Sequence, residues 1–371
     1  MRALLVLSLA AVLSFAFAQD YVFGLNFDAG GKFDDSFNQF TWQGMEQAIA
    51  ELRSEMGLEI DLLEFEGTPE TSASGLRTMA SAGAELIVAP GFNQADPIAS
   101  VSAEFPDTSF VLIDAMVEAP NVRSVLFKEQ EGSFLVGYIA GSLSQTGVVG
   151  FVGGMDIPLI RAFNLGYEEG VLYACPNCTV LSNYVGVTPA AWNDPARAKE
   201  IATNQQAQGA DIIYAAAGGS GRGVIDFVTE TMCYRPTSPL RETALAAQLA
   251  QIPPYEAYAA ACEGAEPLFF IGVDDNQNPL GDTDGDPATL NHGLTSMLKR
   301  VDVAAFNAAY DIVLGTFEGG TQVLGLAEEG VGFALDEYNE ALIPQALLVE
   351  LDVIQDMILS GQLEVTDYRA Q

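Results

Sequence analysis

Tyr21-Val22-Phe23-Gly24-Leu25-Asn26-Phe27 leads into Asp28-Ala29-Gly30-Gly31-Lys32-Phe33-Asp34-Asp35-Ser36, and at Phe37 the pattern changes to Phe37-Asn38-Gln39-Phe40-Thr41-Trp42-Gln43-Gly44-Met45. The first seven residues are a short apolar run of the kind found in a strand of a covered parallel sheet. The two glycines supply a turn. Asp35 or Ser36 offers an N-cap oxygen to free backbone N–H groups. From Phe37 to Glu55 a helical period follows, with Phe37, Trp42 and Met45 at helical spacing. Open α/β sheets bind ligands outside the carboxyl ends of their strands. Asp34, Phe37 and Asn38 therefore stand where a ligand is expected.

The same alternation continues outward. Strands are expected at Tyr21–Phe27, Glu59–Phe65, Leu86–Ala89 and Phe110–Ile113, with helices at Phe37–Glu55, Thr71–Ser81 and Gln94–Glu104. The series then restarts, with strands at Val148–Val152, Thr179–Val185, Asp211–Ala215 and Leu268–Val273 and helices at Ser133–Leu143, Leu159–Tyr173 and Pro195–Gln208. Two successive α/β sheets are implied, each covered by helices. The chain's 371 residues, 49% of them hydrophobic, suffice for two lobes with separate cores.

A first crossing between lobes is expected at Arg123–Lys128 and a second where Phe270–Asp274 ends. A long helical pattern, Leu294–Leu314, follows, and after Gly319-Gly320 come a last strand and a helix at Pro344–Leu359. The first lobe is expected to comprise residues 19–127 and about 276–318, the second residues 128–275 and about 319–371. Residues 233–267, with Pro236, Pro239, Pro253 and Pro254, break the alternation and read as an insertion.

At the other end of the chain, Arg2, an apolar run from Ala3 to Leu13 and the small-x-small triplet Ala16-Phe17-Ala18 form the pattern of a signal peptide spanning residues 1–18. Gln19 stands where a lipoprotein would carry cysteine, so the expected product is an unanchored periplasmic protein. The formal charge of −35, from 50 acidic and 15 basic residues, opposes nucleic-acid phosphates and suits a solvated acidic surface.

Four cysteines in an exported chain point to disulfides, Cys175 with Cys178 and Cys233 with Cys262. Zinc would need all four, because His292 is the only histidine. A redox Cys-x-x-Cys lacks its usual strand-then-helix setting. Asp282-Thr283-Asp284-Gly285-Asp286 misplaces the glycine of a calcium loop and has Gly293 where the twelfth-position glutamate belongs. Gly30-Gly31 is surrounded by carboxylates and lacks a Gly-Lys-Ser/Thr ending, which disfavours a phosphate loop. No metal or cofactor is expected.

The opening motif through Trp42-Gln43-Gly44 resembles that of the basic membrane protein family, which includes the purine nucleoside receptors of bacterial ABC importers. Similar motifs follow in order: Val111-Leu112-Ile113-Asp114; Gly150-Phe151-Val152-Gly153-Gly154 with Phe163, Gly166, Tyr167 and Gly170; Ala215 to Gly221; Ile271-Gly272-Val273-Asp274; and Thr295 to Arg300. The resemblance spans nearly the whole chain after residue 18, apart from the insertion. It implies a type I periplasmic-binding fold with two Rossmann-like lobes and a multi-strand hinge, a membrane permease as partner, and a monomer that binds and does not catalyse.

It also implies site residues. Phe37 matches one of two aromatics that sandwich a purine, and Trp192 stands in the place of the second. Asp114 corresponds to an acceptor for the purine edge, Asp274 to an acceptor for ribose hydroxyls, and Lys299 to its donor companion. Gly218 would let backbone N–H groups approach a sugar hydroxyl. The ligand so implied is guanosine, inosine or adenosine. Another aromatic heterocycle such as riboflavin is the alternative. A secreted nucleoside-processing enzyme is disfavoured because His292 falls in an expected loop without a catalytic partner.

Overall fold

The computed structural model describes residues 21–370. The expected signal segment, residues 1–18, lies outside them. The first lobe runs β1 (Tyr21–Phe27), α1 (Phe37–Met56), β2 (Ile60–Glu66), α2 (Ser72–Ser81), β3 (Leu86–Pro90), α3 (Ala95–Glu104), β4 (Ser109–Ile113) and β5 (Val122–Phe127). The second begins with α4 (Glu129–Leu143), β6 (Val148–Met155), α5 (Pro158–Ala174), β7 (Thr179–Gly186), α6 (Pro195–Ala207), β8 (Ile212–Ala216) and α7 (Arg222–Thr231). The insertion holds β9 (Cys233–Tyr234), α8 (Ala244–Leu249), α9 (Glu256–Ala261) and β10 (Glu266–Pro267). The remaining elements are β11 (Phe269–Asp274), β12 (Gly293–Lys299), α10 (Val301–Leu314), β13 (Gly320–Leu324), β14 (Val331–Phe333) and α11 (Gln345–Leu359).

Each lobe is built on one six-stranded sheet, in the orders β13-β5-β4-β3-β1-β2 and β14-β12-β11-β8-β6-β7. The first is parallel throughout, and the second is parallel except for β14, which pairs antiparallel with β12. Interior strands such as β3 and β8 are buried at every residue, as helices on both faces require. Strand order reverses between β1 and β3 in one lobe and between β6 and β8 in the other. Those two switch points open at the carboxyl ends of their strands, where a crevice forms.

The lobe boundaries differ from expectation. The second sheet keeps the chain through β12, so the return to the first lobe begins at Arg300 and not after Asp274. The expected helix Leu294–Leu314 is β12 followed by α10, because a buried apolar run carries no periodicity that separates strand from helix. β13 lies in the first sheet beside β5, although residues 319–371 are expected in the second lobe. Arg123–Lys128 is mostly β5, and the crossing itself is at Lys128. Three crossings result, at Lys128, at Arg300 and over Gly325–Gly330. They are tied together by Lys128 N–H to Leu324 carbonyl at 3.0 Å and Arg300 N–H to Gly330 carbonyl at 2.9 Å.

Both cysteine pairs are bonded, Cys175 to Cys178 and Cys233 to Cys262. The insertion docks by burying Leu245 and Tyr255. Its Arg241 donates to the carbonyls of Gly141 and Ser144 at 3.1 and 2.6 Å, satisfying the end of α4. His292 is buried in this contact and is not in an open loop. Its Nδ1–H donates to the Leu268 carbonyl and its Nε2 accepts from the Tyr255 hydroxyl, both at 2.8 Å. Burial pushes its pKa down to about 4, so the ring is neutral.

Helices α4 and α5 approach so closely that a Cβ on Gly170 would lie 2.1 Å from the Phe134 carbonyl oxygen. Backbone cannot yield as a side chain can, so Gly170→Ala is expected to destabilise the protein by about 2 kcal/mol. Urea unfolding checks this, and an unchanged midpoint would contradict the packing described.

Candidate functional site

A cavity lies between the lobes at the two switch points. From the first lobe it takes Asp28, Gly30, Asp34, Phe37 and Asn38 after β1, Phe92 after β3 and Asp114 after β4. From the second come Leu159, Ile160 and Phe163 of α5, Trp192, Gly218, Asp274 and Lys299. All eight residues singled out from the sequence thus line one space, although their local roles differ.

Ser36 stands at the N-cap position of α1 but makes no side-chain capping bond, and Asp34 supplies the capping carboxylate. Its carboxylate accepts the backbone N–H groups of Ser36, Asn38 and Gln39 at 3.0–3.1 Å. Burial raises its pKa and those hydrogen bonds oppose the rise. Asn38 is also engaged within the protein, donating to Asp34 and accepting from the Asp28 N–H, both at 2.9 Å. These two residues shape the turn that presents Phe37. Asp28 is freer, since its side chain meets the adjacent Ala29 N–H and a long 3.4 Å contact from Asn93. Burial raises its pKa, and the Ala29 N–H and Asn93 pull it back.

The floor of the cavity is ionic. Lys299 Nζ donates to both oxygens of Asp114 at 2.7 Å and stands 3.2 Å from Glu129. The rings of Phe37, Phe127 and Phe163 surround the ammonium with centroids at 5.1–5.5 Å. Burial alone would lower the Lys299 pKa, yet Asp114, Glu129 and Asp274 outweigh it and hold the group protonated. Asp302 pairs with Arg300 instead. Asp114 is therefore a carboxylate already bound to a cation, with lone pairs left for further donors.

Asp114 and Asp274 occupy matching places in the two lobes, each just past or at a strand end with left-handed backbone, φ 72° and 65°. Aspartate tolerates that conformation better than most side chains. Trp192 ends a short 3-10 turn after β7. A Cβ on Gly154 would lie 2.3 Å from the indole, so glycine there makes room for the ring. Gly218, φ 53°, begins the turn after β8 beside it.

Several contacts close the cleft. Ser36 hydroxyl donates to Asp274 at 2.6 Å, Gln277 Nε2 donates to the Asp35 carbonyl at 2.6 Å, and Arg222 donates to the Asp35 carboxylate at 3.1 Å. The sequence reading assigns no site role to Asp28, Glu129 or Gln277, and gives Ser36 only that of a candidate helix cap. Asp28 lies inside the opening motif, and its exposure to the cavity was the only signal missing. Glu129 was hidden because helix α4 starts four residues earlier than its apolar pattern suggests.

Two doubly wound sheets, three crossings and a cavity between switch points define a type I periplasmic-binding-protein fold. A family profile described as "ABC transporter substrate-binding protein PnrA-like" matches residues 24–364, and the chain belongs to that family. It is 30% identical to the "CD4+ T-cell-stimulating antigen" of Listeria monocytogenes, over 94% of this chain and 89% of that protein. It is 26% identical to the "ABC transporter nucleoside-binding protein BmpA" of Lactococcus lactis, over 89% and 86%. Among solved structures, an ABC transporter solute-binding protein from Aeropyrum pernix superposes with a TM-score of 0.71 at 27% identity, covering 93% of each chain. No helix among the described residues is long and apolar enough to cross a membrane.

Burial pushes the Asp274 carboxyl from 3.8 up to about 7, with Lys299 and Ser36 opposing the rise. A carboxyl raised on folding holds its proton in the native state over that interval. Its contribution to stability is complete below the unfolded pKa and is lost as pH rises through about 7. Relative to Asp274→Asn, the ligand-free wild type should therefore lose stability between about pH 4 and about pH 7. Thermal unfolding of both proteins measures this, and a difference independent of pH would count against it.

Proposed function

We propose that this protein captures a purine nucleoside between its lobes and presents it to an ABC permease, without altering it. The observation that carries this reading is the pairing of Phe37 and Trp192, aromatics from opposite lobes, on one cavity whose only lining cation among the described residues is Lys299. Stacking on two faces favours a flat ring, at roughly 1–3 kcal/mol per face by analogy with base stacking. The carboxylates of Asp28, Asp34, Asp114 and Asp274 repel phosphates and suit a ligand rich in N–H and O–H donors.

Within this reading Asp28 and Asp114 accept from the base edge, which favours bases with adjacent N–H donors such as guanine. Asp274 accepts ribose hydroxyls, Lys299 donates to the sugar, and Gly218 lets backbone approach it. Ligand that touches both lobes stabilises the closed form, and its greater affinity for that form shifts the population. The name of the Lactococcus relative points the same way. The protein so described works as a periplasmic monomer.

A thermal-shift screen of nucleosides, free bases, nucleotides, riboflavin and sugars tests the reading. A nucleoside at a hundred times its dissociation constant should add about 2.7 kcal/mol of stability, and nucleotides little. Trp192→Ala should remove most of the nucleoside shift. Response to sugars or nucleotides alone would reject the reading, riboflavin alone would favour the other heterocycle, and free base released from guanosine would mark an enzyme.

A further inference from the structure

Lys299 does not reach the cavity floor unaided. Glu129, the first residue of α4 beyond the crossing at Lys128, is fully buried and does not line the cavity. Its carboxylate lies between two cations, 3.2 Å from Lys299 Nζ and 2.9 Å from Arg369 Nη1. Neither oxygen takes an aligned hydrogen bond, so both contacts act as ion pairs. Burial raises the Glu129 pKa, while Lys299 and Arg369 lower it.

Arg369 is fixed in turn. Its Nη2 donates to the Phe127 carbonyl at 3.0 Å, and its Nε donates to Asp367 at 2.9 Å. Phe127 ends β5, and its ring lies beside the Lys299 ammonium. Buried charge is tolerated when paired, and here two carboxylates, Asp114 and Glu129, meet two cations, Lys299 and Arg369. Without Arg369, Glu129 would either take up a proton or draw the ammonium away from Asp114.

Resting on the cavity being the nucleoside site, we propose that Glu129 and Arg369 are positioning residues for ligand. Arg369 neutralises Glu129, and Glu129 holds the Lys299 ammonium where ligand meets it. Affinity then depends on a guanidinium that does not line the cavity.

The test has a ligand-free arm and a ligand arm. In the first, side-chain lysine NMR follows the Lys299 ammonium resonance, assigned by its loss in Lys299→Met. It should move in Arg369→Gln and in Glu129→Gln and return in Arg369→Lys. In the second, calorimetry with guanosine and inosine should show affinity weakened about tenfold in Arg369→Gln and Glu129→Gln, and within about threefold of wild type in Arg369→Lys. A Lys299 resonance that stays in place in both glutamine variants would overturn the proposal. So would wild-type affinity in both glutamine variants, where the wild type binds. If wild type binds neither nucleoside, the nucleoside reading fails and the resonance alone decides the positioning role. If Arg369→Gln does not fold, the isosteric Glu129→Gln decides.

Discussion

The ion pair between Lys299 and Asp114 sits where the lobes join, and the geometry of the cleft depends on it. Asp114 follows β4 of the first sheet, and Lys299 ends β12 of the second. A lysine 1% exposed and surrounded by three aromatic rings must keep a carboxylate partner or give up its charge. That requirement ties the end of one sheet to the end of the other at the base of the cavity. It also leaves a single cation among several acidic groups lining the space, counted over the described residues.

Above this floor the two lobes present related parts. Each supplies an aspartate with left-handed backbone at a strand end, Asp114 and Asp274, and each supplies an aromatic, Phe37 and Trp192. The lobes also touch directly through Asp35, Ser36, Arg222, Asp274 and Gln277, so the closed arrangement has polar contacts of its own. Exposed pairs such as Arg222 with Asp35 add little by themselves.

Much of this was legible in the sequence because strands and helices of a doubly wound sheet alternate with different periods. The strand-turn-helix of Tyr21–Met56 could be located to within a residue or so, and the residues at its turn line the cavity. What escaped has physical causes. β12 is buried throughout most of its length and so lacks a polar face, which made it merge with α10 into one apparent helix. Glu129 and Arg369 are charged residues in polar surroundings along the chain, and only the fold brings them to Lys299. Asp34 capping α1 across two intervening residues, in place of an adjacent Ser36, is a matter of turn geometry that composition does not reveal.

The most direct measurement is the structure of the protein crystallised with guanosine. The expected density is a flat ring between Phe37 and Trp192, with sugar hydroxyls at Asp274 and Lys299. Density for the nucleoside outside the interlobe cavity, or a ring lying edge-on to both aromatics with the Lys299–Asp114 pair broken, would contradict the site described.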